Sequence, residues 1–537
     1  MQRQGTSVKQ ERNIDETAGR GVLERRSMAY EIFGAIRIGS IQQELCIYEI
    51  SPSKGIRLID RAVAMLPLGN DTVRRGHLSN ERVDELCRLL NDFAGVMRAY
   101  KTNASRAYAT MALRDAANAP IVIDQIKVRT GLTVSVISNS EQRYINYKAL
   151  ALENRSFDEI IRTGTMIVDS GYGSVQLSLF DKEALVTTEN MPLGAVRLLN
   201  SLRDMRFTDE QLKEHVIEIA DVELDNYKKL YLKNREVENL VVIGDNITQL
   251  LLRGHKKKLS DTFLSAEEAQ ETCRTIRTLR LDMLETMFSG GREYARLMLV
   301  TALVFERILE RLGCRRVYVP GTCFCDGIAA EYAEKQKLIK LKHNFENDIV
   351  AEARNMAKRY RCNTDHAAAA EQCALTLFDA VRRQGGLLKR DRLLVQIAAI
   401  LHTCGKFISM KNDSSCSFHI IKNTEMIGIS HEERKMIAAV VLYHNRSYDY
   451  EAAEKIGNPV RIAKLTAIMG LANALDRSHR GKLADVRIKA DEKSGELVIS
   501  TDYKGDLTLE RLALEGSSEF FEELFGLKPV LRQKRRF

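Results

Sequence analysis

Tryptophan is absent from this chain, and only seven prolines occur among its 537 residues. The shortage of proline, with long stretches rich in Ala, Leu, Glu, Lys and Arg, predicts a high helix content. No apolar run reaches the ~20 residues that a membrane span needs. The N-terminal stretch is polar and lacks the apolar core of a secretion signal. We therefore expect a cytoplasmic protein that does not enter a membrane.

Cysteine pairs are also scarce. The ten cysteines are scattered, and only Cys323 and Cys325 lie close together. A single C-x-C pair without a second pair is a poor indicator of a metal site, and reduced thiols are the better interpretation. A disulfide scaffold is thereby excluded.

Apolar residues make up 45% of the chain and charged residues 28%, which is the balance of an ordinary globular protein. The net charge of +9 is modest for this length, and a solvated surface accounts for it. The alternative is a basic groove that attracts a polyanion. No interleaved aromatic and basic pattern is present, so nucleic acid is not an expected partner.

Length predicts three to four domains, and the pattern divides the chain into five segments. Alternating strands and helices in two of them predict mixed sheets covered by helices. Ala35–Ile50 and Ile56–Met65 are predicted to pair as strands across the turn at 51–55. The predicted segments are a disordered arm (1–27), two α/β lobes (28–155 and 156–335), a helical domain (340–480) and a small α+β domain (485–537).

The segment 165–174 is the most informative part of the sequence. An apolar strand ends in Asp169, and a glycine turn containing Gly171, Gly173 and Ser174 leads into a second strand. Backbone N–H groups of such a turn can cradle a phosphate. An acid at the strand end can hold a cation or orient water. The competing interpretation is a simple β-hairpin.

A second glycine turn, Gly39-Ser40, follows Arg37 in the first lobe, and we expect it to face the first turn across a cleft. Thr110 and Arg114 lie at a strand-to-helix corner, where an arginine can pair bidentately with phosphate or form an ordinary surface ion pair. Glu141 follows the next strand. Without further context it is a helix N-terminal acid favoured by the dipole.

The order and spacing of these pieces resemble the exopolyphosphatase and guanosine pentaphosphate phosphatase family, of the actin-like and sugar-kinase superfold. The A-T-x-x-L-R motif of that family matches 109–114, and its S-G-x-E-E-A motif keeps its glutamate as Glu141. Its V-D-I-G-G-G-S-T-E motif matches 168–176, and its P-L-G-x-V-R motif is intact at 192–197.

The resemblance implies an α/β fold of two ribonuclease-H-like (actin-like) lobes, an all-α HD-like domain and a small α+β C-terminal domain. It implies removal of terminal phosphate from polyphosphate, or of the 5′ γ-phosphate from guanosine pentaphosphate, with Mg²⁺. Glu141 would be the general base, and Asp169 would orient water or the metal. The phosphate-binding residues it implies are Gly39, Ser40, Thr110, Arg114, Gly171, Gly173, Ser174 and Arg197.

Several positions depart from the family pattern. Arg37 replaces an acid, which is a charge reversal, and could occupy the phosphate site or replace the cation electrostatically. Tyr172 replaces a glycine that could take positive φ, and Asp245 in the third turn, 244–246, would repel phosphate. These departures predict impaired catalysis. The alternative is a catalytically silent protein that binds polyphosphate or guanosine tetra- and pentaphosphate.

The segment 398–407 resembles the L-L-H-D-I-G-K motif of HD phosphohydrolases, but Thr403 and Asn473 replace its two metal-binding acids. We therefore expect His366, His402 and His444 to be core or surface histidines without a metal. The resemblance implies that this region extends a polyphosphate channel and helps a homodimer to form. Basic residues that could line the channel, or simply be solvated, are Lys406, Lys411, Arg477 and Arg480.

Overall fold

The computed structural model describes residues 30–153, 157–202, 207–254 and 263–533. The predicted arm, 1–27, lies outside the described residues. The chain divides into two compact units. The first unit contains the described residues up to Val136, with Ile145–Leu152 and Thr322–Lys342. The second contains Ile137–Tyr144, Glu153–Gly321 and the described residues from His343 onward.

The first unit is built on a five-stranded mixed sheet in the order β3-β2-β1-β4-β5. β1, β2 and β3 form an antiparallel meander, and β4 and β5 add in parallel. The strands are β1 (Glu31–Ile38), β2 (Gln42–Ser51), β3 (Gly55–Met65), β4 (Ala104–Ala109) and β5 (Val134–Val136). The helices assigned to this unit are Leu68–Arg75, Asn80–Ala99, Met111–Arg114, Ala119–Thr130 and Phe324–Lys335, and the helix Asn139–Glu153 is shared between the units.

The helix Asn80–Ala99 covers one face of this sheet. Ser79 accepts a hydrogen bond from the backbone N–H of Arg82, as expected of an N-cap. Leu86, Leu90 and Phe93 recur at helical spacing and are buried against the sheet. The N-cap serine and the apolar spacing predict this helix from the sequence alone, and the structure confirms it.

The second unit contains a six-stranded sheet in the order β10-β11-β9-β6-β7-β8 and a separate three-stranded sheet, β12-β13-β14. β6 pairs in parallel with β9 and antiparallel with β7, so its carboxyl end lies inside the sheet. The strands are β6 (Thr165–Ser170), β7 (Val175–Asp181), β8 (Ala184–Met191), β9 (Asn239–Ile243), β10 (Phe263–Ser265), β11 (Arg316–Tyr318), β12 (Arg487–Asp491), β13 (Glu496–Thr501) and β14 (Lys528–Gln533).

Helices fill most of the remaining second unit, and between 345 and 475 they alone form the regular structure, as predicted. The α-helices are Phe157–Ile160, Ala195–Ser201, Asp209–Tyr227, Asp245–Gly254, Ala266–Thr278, Leu281–Phe288, Gly291–Leu312, Phe345–Arg359, Thr364–Val381, Lys389–Leu401, Asp413–Asn423, His431–Tyr443, Tyr450–Glu454, Pro459–Leu475 and Thr508–Phe525. A π-helical turn occupies Lys228–Leu232, and a 3₁₀ turn occupies Cys404–Phe407.

Three sequence expectations about elements were wrong. The strand predicted over Ala35–Ile50 is two strands, because the chain turns at residues 39–41. The pattern of residues 265–312 predicts one long helical segment, but these residues form three helices, and Ser289 ends the second in a left-handed conformation. The chain ends its described part in β14, which pairs in parallel with β13 and was not predicted.

Within the described residues, no helix is both long and apolar enough to cross a membrane.

Candidate active site

Asp169 lies near the carboxyl end of β6 and is 4% exposed. It is opposite Gln176 on β7 and beside Ile243 on β9, so strands on both sides fix its backbone. The glycine turn closes directly after β6, where the Gly171 N–H donates to the Ser174 carbonyl at 3.0 Å. A buried acid therefore precedes a tight turn, as the sequence predicts.

The segment 192–197 packs on this turn. The Val196 N–H donates to the Tyr172 carbonyl at 2.8 Å, and Arg197 Nε donates to the Gly173 carbonyl at 3.2 Å. A Cβ on Gly194 would lie 2.1 Å from the carbonyl carbon of Gly173, so only glycine allows this approach. The contact places the exposed Arg197 side chain at the turn.

Tyr172 does not strain the turn. Its backbone, like that of Gly171 and Gly173, lies outside the positive-φ region. The side chain is buried, with 6% exposure. The expected conformational cost of replacing glycine at this position was therefore wrong, because the turn does not require a left-handed residue here.

The third turn meets the first one closely. Gly244 has a φ of 123°, and a Cβ there would lie 2.4 Å from the Ser170 carbonyl oxygen. Asn246 donates to Ser170 Oγ at 3.5 Å and to Thr301 Oγ1 at 3.2 Å. The glycine is thus required for close packing, and Asp245 begins the following helix.

Glu141 is held at the start of the helix Asn139–Glu153. Its Oε2 accepts hydrogen bonds from Ser138 N at 2.9 Å and Ser138 Oγ at 2.8 Å, and the Glu141 N–H donates back to Ser138 Oγ at 3.2 Å. This reciprocal pattern is a capping box. Glu141 is therefore a helix N-terminal acid, as one of the two interpretations of the sequence predicts. This role uses one of its two carboxylate oxygens.

Arg143, one residue beyond Gln142 on the same helix, connects Glu141 to the turn. Its fully buried guanidinium donates from Nε to Gln176 Oε1 at 2.8 Å, and Gln176 is the cross-strand partner of Asp169. A second nitrogen, Nη2, lies 3.4 Å from Glu425 Oε2. The start of the Glu141 helix and the strand pair that carries Asp169 are thus tied together inside the second unit.

The charge of Arg143 acts on two further acids, the buried Glu352 and the half-buried Glu189. Burial raises the pKa of Glu352 to about 7, against hydrogen bonds from Thr188 and the Ile427 N–H and the charge of Arg143. Burial also raises the pKa of Glu189, although Arg359 and Arg143 oppose it. Both carboxyls therefore bind protons more readily than exposed acids, which limits the negative charge near Arg143.

The first-unit turn is closed by its own side chains. Gln43 Oε1 accepts from the Gly39 N–H at 2.8 Å, and Gln43 Nε2 donates to the carbonyls of Gly39 and Leu66. The Ser40 carbonyl accepts from the Gly69 N–H at 2.7 Å. The Gly39 amide, expected to hold phosphate, is already satisfied within the protein.

Arg37 also lies at this turn. A Cβ built on Gly39 would be 3.3 Å from Arg37 Nε and 3.5 Å from Nη2. The Arg37 side chain is 15% exposed, and Nη1 lies 3.8 Å from Glu44 Oε2. The guanidinium therefore lies against the turn, and its occupation of the phosphate position stays a prediction.

The strand-to-helix corner holds Thr110 and Arg114. Thr110 N and Oγ1 both donate to the Ile38 carbonyl, at 3.1 and 3.3 Å, which pins the corner to the end of β1. Arg114 ends the short helix Met111–Arg114, and its Nε lies 3.3 Å from Asp115 Oδ1. Arg114, which is predicted to contact phosphate, thus also lies beside the carboxylate of Asp115.

The histidines of the helical region are buried together. His402 Nε2 lies 3.0 Å from His366 Nε2, and His366 Nδ1 lies 2.7 Å from Asp476 Oδ2. Burial holds the pKa of His402 well below its usual value and lowers that of His444 to about 4. These histidines are core residues in the described structure, and Asp476, rather than Asn473, is the acid that contacts His366.

The four basic residues predicted for a channel differ in their exposure to solvent. Lys406 is half-buried, whereas Lys411, Arg477 and Arg480 are exposed. Burial and the charges of His366 and Lys406 lower the pKa of His479, and Arg477 adds to this effect. Lys406 and Arg477 are therefore close enough to act on one imidazole.

Asp169 by itself does not form a metal site built from protein ligands alone. In the described part of the chain, the one cluster of three or more closely spaced ligand residues lies in the first unit and excludes Asp169 and Glu141. Mg²⁺ commonly uses one or two carboxylates together with phosphate oxygens and waters. Asp169 fits an ion that arrives with phosphate, rather than one held by protein ligands alone.

Comparison with known families matches two consecutive parts of the chain. Residues 46–335 match the Ppx/GppA phosphatase family, and residues 350–518 match domain III of Ppx/GppA phosphatase. The first match covers more than half of the chain. The chain therefore belongs to the Ppx/GppA phosphatase family.

Solved structures agree with this fold. An exopolyphosphatase from Cytophaga hutchinsonii is 17% identical, with a TM-score of 0.51 over 58% of this chain and 100% of its own. An exopolyphosphatase-like protein is also 17% identical, with a TM-score of 0.50 over 57% and 99%. The Aquifex aeolicus Ppx/GppA family member is 20% identical, with a TM-score of 0.48 over 59% and 100%. The first two share the fold, and the predicted mixed α/β architecture with a helical C-terminal region is confirmed.

Sequence reasoning missed two residues that shape the site. Arg143 is an arginine on a helix rich in polar residues, and nothing in its spacing indicates complete burial. Gln43 sits in an ordinary strand pattern, although its side chain closes the first turn. Gly194 belongs to the P-L-G-x-V-R motif at 192–197, but its close approach to Gly173 depends on the folded structure.

Proposed function

We propose that this protein is a phosphoanhydride hydrolase that releases terminal phosphate from polyphosphate, or the 5′ γ-phosphate from guanosine pentaphosphate, at a reduced rate. One observation carries the proposal: the Arg143–Gln176 hydrogen bond ties the Glu141 helix to the strand pair and turn of Asp169. Two carboxylates beside an anion-binding turn are the groups that such a hydrolysis needs.

In this proposal Glu141 acts as general base on the attacking water. Oε2 is used in the capping box, so Oε1 is the atom that would accept the proton. The water oxygen forms a bond to the terminal phosphorus, and the bridging P–O bond to the next phosphate breaks. Asp169 would orient the water.

Anion binding in the second unit would fall to the glycine turn and Arg197. The turn includes Gly171, Gly173 and Ser174, and Arg197 is fixed at its edge through the Gly173 carbonyl. When bound with substrate, Mg²⁺ would neutralise charge on the phosphates, and Asp169 is the carboxylate that would hold it.

The reduced rate follows from the first-unit turn. The Gly39 N–H already donates to Gln43, and the Arg37 guanidinium lies against the turn. An amide engaged inside the protein must exchange that partner before it can bind phosphate, at a cost comparable to a lost hydrogen bond. We still propose that Gly39, Ser40, Thr110 and Arg114 contact phosphate. The Gly39 amide would do so only after it leaves Gln43.

The basic residues Lys406, Lys411, Arg477 and Arg480 are proposed to guide a long polyphosphate chain. Exposed cations attract polyanions over a distance set by the ionic strength. A homodimer in which this region helps the two copies to associate is part of the same proposal.

The Glu141→Gln variant tests the proposed base. Glutamine can replace glutamate in a capping box, so the melting temperature should change little. Loss of a general base should lower phosphate release from long-chain polyphosphate with Mg²⁺ by about 10²–10⁴-fold. Malachite green detection of released phosphate measures it, and equal rates in variant and wild type would refute the role of Glu141.

A silent binding protein is the second candidate. The use of Glu141 in a helix cap and the presence of Arg37 at the first turn favour it. Calorimetry separates the candidates: heat of binding with polyphosphate or guanosine pentaphosphate, but no released phosphate from wild type, supports the sensor and excludes the hydrolase.

A further inference from the structure

Three cysteines and one glutamate meet in the interior of the first unit. Single ligand atoms from Glu44, Cys46, Cys323 and Cys325 all lie within 4.8 Å of one another. Cys46 and Cys325 are fully buried, Glu44 is 1% exposed and Cys323 is 7% exposed. The group is separate from the turn residues and carboxylates assigned to hydrolysis above.

Two short sequence pairs build this cluster. Glu44 and Cys46 are two residues apart on β2, so their side chains point to the same face of the sheet. Cys323 is the N-cap of the helix Phe324–Lys335, and Cys325 lies in its first turn. The C-x-C pair, uninformative by itself, gains its second pair from a distant strand.

The thiol sulfurs lie at long hydrogen-bond distances from neighbouring oxygen atoms. Cys46 Sγ lies 3.7 Å from Glu44 Oε1, and Cys325 Sγ lies 3.6 Å from the Ala35 carbonyl. Tyr48 Oη and Cys323 Sγ are 3.9 Å apart. In a tetrahedral site with a Zn–S distance of ~2.3 Å, the sulfur atoms are about 3.8 Å apart. The ligand atoms here, all within 4.8 Å of one another, are therefore spaced closely enough to bind one small cation.

We propose that this cluster is a structural zinc site, with the thiolates of Cys46, Cys323 and Cys325 and the carboxylate of Glu44 as four ligands. All four come from the protein, which is typical of closed sites that stabilise a fold. Thiolate sulfur selects a soft or borderline ion over magnesium or calcium. The ion would join β2 to the start of the helix Phe324–Lys335.

The surrounding charges suit such an ion. Three thiolates, one carboxylate and Zn²⁺ leave two negative charges. Arg61 Nε donates to Glu44 Oε1 at 2.6 Å, and Arg37 Nη1 lies 3.8 Å from Glu44 Oε2. The two guanidinium groups balance the charge, and groups that orient ligands from outside are a regular part of metal sites.

A second set of contacts orients Cys323. Asp326 Oδ2 accepts from the Cys323 N–H at 2.7 Å, and Tyr48 Oη donates to Asp326 Oδ1 at 2.7 Å. Tyr48 thus reaches both the helix start and the Cys323 sulfur. These contacts fix the helix start beside the sulfur atoms, and ligands that are held in place lower the ordering cost of coordination.

Metal content of the full-length protein tests the proposal. Purified under reducing conditions with zinc supplied and excess removed by gel filtration, the wild type should retain about one Zn²⁺ per chain. Cys46→Ser and Cys323→Ser should fall to background in inductively coupled plasma mass spectrometry. Cys87→Ser removes another buried cysteine of the same unit and should keep the ion.

Cobalt substitution of the wild type makes the test independent of variant folding. Co²⁺ in place of zinc should give the strong thiolate charge-transfer absorption of a tetrahedral sulfur-rich site. Absence of both zinc and that absorption would overturn the proposal. Zinc retained by Cys46→Ser and Cys323→Ser alike would also overturn it.

Discussion

At the scale of single residues, glycine positions report where backbones must approach each other. Gly194 lies so close to the turn that a Cβ would be 2.1 Å from Gly173 and 2.2 Å from the Ser174 nitrogen. Backbone atoms cannot move aside as a flexible side chain can. Gly194 is therefore a packing requirement of the proposed phosphate-binding turn.

We expect Gly194→Ala to destabilise the protein by about 1–3 kcal/mol, because overpacking against backbone displaces the turn. Phosphate release should fall with it. Thermal or urea unfolding measures the first effect. Gly516→Ala is the matched control: a Cβ there meets open space at an exposed position of the helix Thr508–Phe525, so stability should rise by about 0.5–1 kcal/mol. A Gly194→Ala protein as stable as wild type would contradict the turn geometry.

Residue chemistry in this site could be predicted only in part. The sequence indicated an acid, a glycine turn and a helix-start glutamate, and the structure shows Asp169, the turn and Glu141 in those local settings. It could not show that Gln43 occupies the Gly39 amide, because side-chain partners depend on tertiary packing. For the same reason, the sequence did not indicate that Arg143 is buried and bonded to Gln176.

At the scale of elements, local patterns predicted strand and helix types better than their ends. Alternation continued across residues 39–41, so β1 and β2 were predicted as one strand, although the Gln43 side chain closes a turn between them. β14 was missed because its pairing partner, β13, lies a whole helix away in sequence. Such pairings are not encoded in a local window.

His343 joins two helices of the second unit. Its Nδ1 lies 2.6 Å from Asp158 Oδ1, and its Nε2 lies 2.7 Å from Asp348 Oδ2. Burial lowers the pKa of His343, but the hydrogen bonds and charges of Asp348 and Asp158 outweigh it, so the pKa lies above its usual value. The charged imidazole thus connects the Phe157–Ile160 and Phe345–Arg359 helices.

Because the folded pKa is raised, the stabilisation by His343 is complete below the unfolded value of about 6.5 and is lost as the pH rises through the folded pKa. His343→Gln should therefore cost about 1.5–3 kcal/mol at pH 6 and less at pH 9. Urea unfolding at pH 6 and at pH 9 measures this loss of stability. His215→Gln, at an exposed histidine beside Glu218, is the control and should change stability little. An equal cost at both pH values would contradict the paired, charged histidine.

At the scale of the whole molecule, family membership and chemical activity are separate conclusions. The fold and the family models agree over both halves of the chain. The family pattern could be predicted from motif order, since no single motif carries it. Arg37 predicted a reduced rate from the sequence, but the hydrogen bond by which Gln43 closes the first turn depends on the folded structure and could not be predicted.

The rate of phosphate release from long-chain polyphosphate with Mg²⁺, compared between wild type and Asp169→Asn, tests the central claim most directly. Asparagine keeps the shape of the buried side chain but removes its charge. We predict measurable release by wild type, slower than by a family member with an acid at the position of Arg37, and a further loss of about 10²-fold or more in the variant. Equal rates in wild type and Asp169→Asn would contradict the proposed hydrolysis at this site.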